Sequence, residues 1–282
     1  MTDTTTDGRA TGGDLAGRDP DLLRRVYEVM VLTRAVEDRM VAMYRGGDLL
    51  GSLYTGHWHE AISVGAASCL RADDYMAPIH RDLGAHLWRG MEPWQVMASF
   101  MGKATSPTGG RDGTLHYGRL DLGIYNLPSH IPANFPVATG MAFAAKYRGE
   151  DKVCLAFCGD GSTSRADFHE SLTIASVQNL PNVFVIENNQ YAYSTPLRLT
   201  SHSAKLSDKA VAYGIPGVTV DGTGRCTTAD WTSASTTCRA TSRPTSRWPR
   251  AWHSPASTAG RTVCAWRSAA TGRPRGPTST RR

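Results

Sequence analysis

Apolar side chains first recur at helical spacing. Asp19-Pro20 sets a capping carboxylate before a proline suited to a first helical turn. Behind it Leu22, Val26, Val29, Thr33, Val36, Met40 and Met43 follow at steps of three and four, and Gly46-Gly47 closes the run. The pattern predicts one long amphipathic helix, its methionines turned to a core. A second helix is expected from about His59 to Leu70. A third starts near Pro93, with Trp94, Val96, Met97, Phe100 and Met101. From Gly102 to Pro128 the chain is rich in glycine and lacks periodicity, as long functional loops do.

From Pro136 the rhythm changes. A small-residue helix, Ala138 to Tyr147, precedes the unbroken apolar run 153–158, which Gly159-Asp160-Gly161 ends. A helix over Ser162 to Gln178 leads to a second run, 183–186, ended by Glu187-Asn188-Asn189, and Val218-Thr219-Val220 fits a further short strand. Continuous apolar strands suit burial on both faces. Strands alternating with helices predict an α/β fold, a doubly wound parallel sheet with flanking helices.

Charge divides the chain in two. The formal net charge of +6 is misleading, because residues 223–282 hold eleven Arg against one Asp, while residues 1–222 are mildly acidic. The basic character therefore gives the folded body no reason to bind nucleic acid. The tail has four tryptophans, yet Val263 is its only aliphatic residue larger than alanine. Ordering such a segment has little apolar burial to offset its entropy. The division expected is a disordered N-terminus (1–19), a folded domain (20–222) and a low-complexity basic tail (223–282) without a native fold. An Arg/Thr/Ser/Ala/Pro/Trp mixture is what GC-rich coding DNA gives out of frame, so a frameshift near Asp221–Gly224 is expected; a basic arm is the alternative. Reading the gene through codon 222 decides between them. No apolar run is long enough to span a membrane. The N-terminus has no signal-peptide pattern, and the six cysteines show no disulfide framework. A cytoplasmic protein is the expectation.

Both polar clusters, at Asp160 and at Asn188-Asn189, directly follow a predicted strand. Parallel neighbours joined by one helical crossover bring both to the same carboxyl edge, where open α/β sheets bind ligands. A carboxylate from Asp160 and an amide oxygen from Asn189 are hard donors suited to magnesium (Mg2+) or calcium. Gly161 and Ser162 open the following helix in this reading, so their N–H groups favour an anion. A metal-bridged diphosphate is one meaning of the pattern; a pair of tight turns built from Asp-Gly and Asn-Asn is the other.

These residues also carry a resemblance. Gly159-Asp160-Gly161, followed at the end of the next strand by Asn188-Asn189, resembles the thiamine-diphosphate motif. The wider pattern, through Phe168-His169-Glu170 and Leu180-Pro181 to Glu187-Asn188-Asn189-Gln190-Tyr191, is similar to the α subunit of 2-oxo-acid dehydrogenase E1 components. That group includes the pyruvate, branched-chain and acetoin enzymes. The segments His80-Arg81-Asp82-Leu83-Gly84 and 109–116 fit it as well, and the likeness covers about residues 20–222.

The resemblance implies a role for each matching residue. Asp160, the Asn189 side chain and the Tyr191 carbonyl ligate Mg2+. Arg81, Gly161 and Ser162 hold the diphosphate, and Ser129 and Ile131 meet the aminopyrimidine ring. His57, His80 and His130 are the candidate catalytic groups. The motif's own histidine falls near Tyr54, and His59 and His116 lie in matching segments. The implied reaction is oxidative decarboxylation of a 2-oxo acid, pyruvate first, with acyl transfer to a lipoyl-bearing E2 protein. An E1 β subunit in an α2β2 assembly would complete the cofactor site. An acetoin dehydrogenase α subunit or another split thiamine-diphosphate enzyme is the alternative; a defective frameshifted subunit or basic-tailed binding protein is a reading of a different class. Beyond Gly222 the family carries a loop of the form Tyr-Arg-x-x-Gly-His-Ser. No such string occurs in residues 223–282, so the chain is expected to lack that loop's histidine.

Overall fold

A computed structural model of the chain describes residues 19–113, 116–125, 130–203, 205–222 and 262–267. The first helix, α1 (Pro20–Gly46), starts and stops where its sequence says. The Asp19 side chain accepts the Asp21 N–H at its head, and Gly47 closes it in the left-handed region. Its inward face differs by one position at the start: Leu23 and Met30 are buried, while Leu22 is exposed. Then come α2 (Glu60–Ser68), β1 (Tyr75–Ala77), α3 (Leu83–Trp88), α4 (Pro93–Phe100) and α5 (Asn134–Arg148). The remainder is β2 (Cys154–Gly159), α6 (Ala166–Val177), β3 (Asn182–Asn188), the small hairpin β4 (Tyr191–Ala192) and β5 (Thr195–Pro196), α7 (Lys209–Ala212), β6 (Gly217–Asp221) and β7 (Thr262–Arg267).

Five strands form one sheet in the order β1-β2-β3-β7-β6, with β1, β2 and β3 parallel. Successive residues of a strand point to opposite faces. Leu155, Phe157 and Val185 accordingly join a core with residues of α1 to α4, while Cys154, Ala156, Cys158, Phe184 and Ile186 join another with α5 and α6. Helices cover both faces, as the α/β reading expects. Cys154 and Cys158 share one face, and burial pushes the Cys154 thiol up to about 12, which suits an inert structural cysteine.

One expectation needs correction. Residues 162–178 are not one helix: Asp160–Ser164 is a separate 3-10 turn, Arg165 is extended at φ −95° and ψ 152°, and α6 begins only at Ala166. Gly161 and Ser162 therefore do not sit at the head of α6, and the anion argument from that helix fails for them. One segment of the tail adds a strand to the sheet. The backbone of Thr262–Arg267 runs antiparallel between β3 and β6 and pairs with both. A strand there supplies hydrogen bonds to two backbone rows at once, and a short β-branched and aromatic segment favours extended structure. The sheet is thus parallel at β1 to β3 and antiparallel around β7.

Candidate active site

Strand register sets the centre of the site. Gly159 of β2 pairs with Glu187 of β3, so the turn after each strand leaves the sheet at the same edge. Gly161 then meets the chain returning through β4: a Cβ at Gly161 would stand 2.3 Å from the Ala192 Cβ. Only a glycine lets the two turns come this close. Asn189 Oδ1 accepts the Tyr191 N–H at 3.0 Å, which shapes the second turn, and Gln190 takes a left-handed φ of 70°.

Asp160 is buried at the junction. Neither of its carboxylate oxygens has a hydrogen-bond partner among the described residues. Burial raises its pKa, opposed by Arg81 and by nearby backbone amides. A buried carboxylate without a partner is costly unless a positive group meets it. No cluster of three or more His, Cys, Asp or Glu among the described residues is placed to hold a metal. A cation at Asp160 would accordingly draw on amide, carbonyl and ligand oxygens, the donor set of a magnesium held mainly by phosphate.

A cavity of about 1240 Å³ is lined by Gly159 and Gly161, the chain neighbours of Asp160, and by Ser162, Asn189 and Tyr191 from the two turns. His80, Arg81 and Ile131 also line it, as do Tyr54 and the neighbouring residues of the 51–55 loop. Seven of the residues to which the resemblance gives a role (His80, Arg81, Ile131, Gly161, Ser162, Asn189 and Tyr191) thus converge on one space, and Asp160 stands between two of its lining glycines. Arg81 is held from behind: its Nε donates to Glu187 Oε2 at 2.7 Å, and a Cβ at Gly159 would lie 2.9 Å from its Nη2. Glu187 is fully buried. Burial pulls its pKa upward, but His59, Arg81 and Asp82 outweigh that and hold it at about 2. Asp82, buried against it, is pushed well above the usual range by burial and by Glu187. The Glu187 carboxylate therefore carries the charge that offsets Arg81.

The other candidates lie elsewhere. His57 is not among the cavity's lining residues; its Nε2 is 3.4 Å from both Glu37 and Asp38. Burial, then Arg34, lowers its pKa. His130 sits on the exposed side of Arg165, 2.8 Å from Nη2 and 3.4 Å from Asp167. Ser129 lies outside the described residues. Glu170, a motif position, is exposed on α6. Sequence reasoning missed Glu187 and Arg165, the first buried behind Arg81 and the second a lining residue. The Glu of Glu187-Asn188-Asn189 was visible, because a charge ending a buried strand calls for a partner. Nothing local marks Arg165. His80 and His116, which lie 36 positions apart, meet at 2.9 Å between their Nε2 atoms.

Comparisons with known proteins give the site a family. Residues 27–237 match the family model described as dehydrogenase E1 component. The α subunit of acetoin:2,6-dichlorophenolindophenol oxidoreductase from Cupriavidus necator is 38% identical over 73% of this chain and 62% of its own length. The α subunit of 3-methyl-2-oxobutanoate dehydrogenase from Mycobacterium tuberculosis is 38% identical, over 77% and 57%. The α subunit of the pyruvate dehydrogenase E1 component from Porphyra purpurea is 36% identical, over 70% and 59%. The chain spans about three-fifths of the length of these relatives. With the matched segment running through α1 and every parallel strand of the sheet, the chain belongs to the dehydrogenase E1 component family.

Proposed function

We propose that this chain is the diphosphate-binding α-type subunit of a thiamine-diphosphate-dependent 2-oxo-acid dehydrogenase, with pyruvate as the favoured substrate. The observation that carries the reading is the unpartnered Asp160 carboxylate, buried where the turns after β2 and β3 meet under a large cavity. Asp160, Asn189 Oδ1 and the Tyr191 carbonyl would hold Mg2+. Arg81, locked by Glu187, turns its remaining N–H groups to the diphosphate, where a planar fork suits phosphate oxygens. Gly161 and Ser162 approach it through backbone N–H groups from the 3-10 turn. Ile131, with Ser129 before it, meets the aminopyrimidine.

When bound, thiamine diphosphate supplies the nucleophile and the electron sink for cleavage of the 2-oxo acid. The protein's own task is to orient the substrate and move protons, and His80, which lines the cavity, is the group given that task in this reading. His57 and His130 keep the catalytic roles that the resemblance implies only if a β subunit draws them to the cavity. An E1 β partner in an α2β2 assembly, a lipoyl-bearing E2 acceptor and a cytoplasmic location belong to the same reading. Among the described residues no helix is long and apolar enough to cross a membrane. Acetoin is the second substrate, favoured by the Cupriavidus necator relative.

Calorimetric titration of Mg2+ and thiamine diphosphate into the chain co-expressed with its β partner tests this. Wild type binds, and Asp160→Asn loses about 100-fold or more in affinity while the cofactor-free protein gains stability, since a buried charge without a partner is gone. Equal affinity in the two proteins overturns the assignment of Asp160. A protein that binds polyanions in a salt-sensitive way but never the cofactor is a basic-tailed binding protein instead.

A further inference from the structure

Two imidazoles share the far wall of the cavity. His80 Nε2 and His116 Nε2 are 2.9 Å apart, with the rings edge to face at 86°. At that distance one nitrogen carries a hydrogen and the other accepts it, and both carrying one is excluded by repulsion. Asp112 lies beyond, its Oδ1 3.6 Å from His116 Nδ1. The Tyr54 ring flanks His80 at 5.6 Å, and Arg81 follows it in the chain. The charged and titratable groups around His80 are thus His116, Asp112, Arg81 and Tyr54. His80, His116, Asp112 and Tyr54 all line the cavity.

The order of these groups has a direction. Asp112 is more than half exposed, His116 is mostly buried and His80 is partly buried. A carboxylate beside Nδ1 of His116 favours a hydrogen there, which leaves its Nε2 as the acceptor toward His80. His80 Nε2 is engaged by that contact, so Nδ1 is its nitrogen left for an occupant of the cavity. Burial first, then His116 and Arg81, lowers the His80 pKa to about 4. An isolated His80 would therefore be a poor proton carrier at neutral pH; one paired with a second imidazole need not hold the charge itself.

We propose that Asp112, His116 and His80 form a proton relay between solvent and the cavity, with His116 and Asp112 as positioning residues for His80. This deepens, and rests on, the reading of the cavity as a 2-oxo-acid or acetoin site. In these tautomers His116 carries its hydrogen on Nδ1 and His80 on Nε2, so the relay first carries a proton out. The O–H bond of a substrate hydroxyl breaks as an N–H bond forms at His80 Nδ1, His80 Nε2 passes its proton to His116 Nε2, and His116 Nδ1 releases one to water beside Asp112. The reverse sequence breaks the N–H bond at His80 Nδ1 as an O–H bond forms on the substrate's carbonyl oxygen, returns the proton from His116 Nε2 to His80 Nε2 and takes one from water at His116 Nδ1, so no other reactant is needed.

The test uses the full chain with its β partner, histidine labelled with 13C at Cε1, and a pH titration followed by nuclear magnetic resonance. Coupled sites titrate in shared macroscopic steps once they interact by more than about one pK unit. Wild type should show two steps on the His80 ring signal. His116→Gln, which keeps a hydrogen bond but carries no proton, should leave one step on His80, moved to higher pH by loss of a neighbouring positive charge. In turnover, His116→Gln should lower kcat by about 10- to 100-fold with KM and cofactor affinity within about twofold. Asp112→Asn, at an exposed position, should shift the acid limb of the kcat profile with a smaller loss. Independent single-step titrations in wild type, or an unchanged kcat in His116→Gln, overturn the relay. Coupled titration in a protein that binds no cofactor keeps the pair and sinks the thiamine reading, so the two failures are distinct.

Discussion

Gly161 and Ala192 touch across the two turns that close the sheet edge, and the space between them has no room for a β-carbon on Gly161. The contact joins the turn that carries Asp160 to the turn that carries Asn189 and Tyr191, and so fixes their relative position. Gly161→Ala has to part the turns, because the obstructing atoms are the Cβ and Cα of Ala192 rather than the end of a flexible side chain. Overpacking of this kind costs about 1–3 kcal/mol. The expected outcome is a lower Tm and a loss of cofactor affinity of at least about tenfold. Thermal melts with and without Mg2+ and thiamine diphosphate measure both, and an unchanged affinity would detach the glycine from the site.

Glu187 and Asp82 should respond unequally to the loss of a carboxylate. Glu187 is held at a pKa of about 2 and takes the Nε–H of Arg81, while burial and Glu187 push the Asp82 pKa upward. Glu187→Gln then leaves the Arg81 charge half-buried without its partner, a loss of about 1–3 kcal/mol with roughly tenfold weaker diphosphate binding. Asp82→Asn keeps the acceptor for the Ile79 N–H at 2.7 Å and leaves the Glu187–Arg81 pair in place, so it should change Tm by no more than a few degrees. Denaturant unfolding of the two single variants checks the asymmetry. Equal losses would mean that the charge sits on both carboxylates.

The sequence made some of this legible and hid the rest for physical reasons. The Asp19 cap and the Gly47 terminus are local devices, so α1 could be bounded from neighbouring residues alone. Runs 153–158 and 183–186 are apolar on both faces because both faces are covered, and the polar turns after them inevitably fall at one edge. By contrast α3, Leu83–Trp88, is only six residues long and is buried through Leu87, so it has no polar face to reveal a period. The break at Arg165 depends on where the 3-10 turn packs, which residues 162–178 do not encode as a proline or glycine would. His80 with His116, and Arg81 with Glu187, are pairs made by the fold between distant segments, and no spacing rule announces them.

A second buried acid gives a pH prediction. Glu37 of α1 accepts the Gly56 N–H at 2.7 Å, and Gly56 packs against the Arg81 carbonyl so closely that a Cβ would lie 2.2 Å from it. Burial raises the Glu37 pKa from 4.5 to about 8, against the opposing Gly56 hydrogen bond. Between those values the unfolded chain ionises and the folded chain keeps its proton, so folding takes up a proton. Stability from this group is therefore greatest below about pH 4.5 and falls as pH rises toward about 8. Glu37→Gln keeps an acceptor for Gly56 and has nothing to ionise. It should flatten that part of the curve and raise Tm at pH 8 by a few degrees, at about 2–4 °C per kcal/mol. A wild-type Tm that climbs over this range, with no change in slope in the variant, would contradict the assignment.

Strand β7 is where the composition of the tail and the architecture of the sheet meet. Its six residues pair with β3 on one side and β6 on the other, Ile186 and Thr219 both lying opposite Cys264. A strand with neighbours on both sides uses every backbone N–H in its ladders, so proline has no harmless position within it. Ala265→Pro should remove one of those hydrogen bonds, open the β3 edge and lower Tm by several degrees, with new amide exchange in residues 183–187 and 217–220. An identical melt and exchange pattern would mean that β7 does not occupy the sheet in solution. In that case residues 223–282 behave as translated out of frame, and the nucleotide sequence through codon 222 should contain the slip.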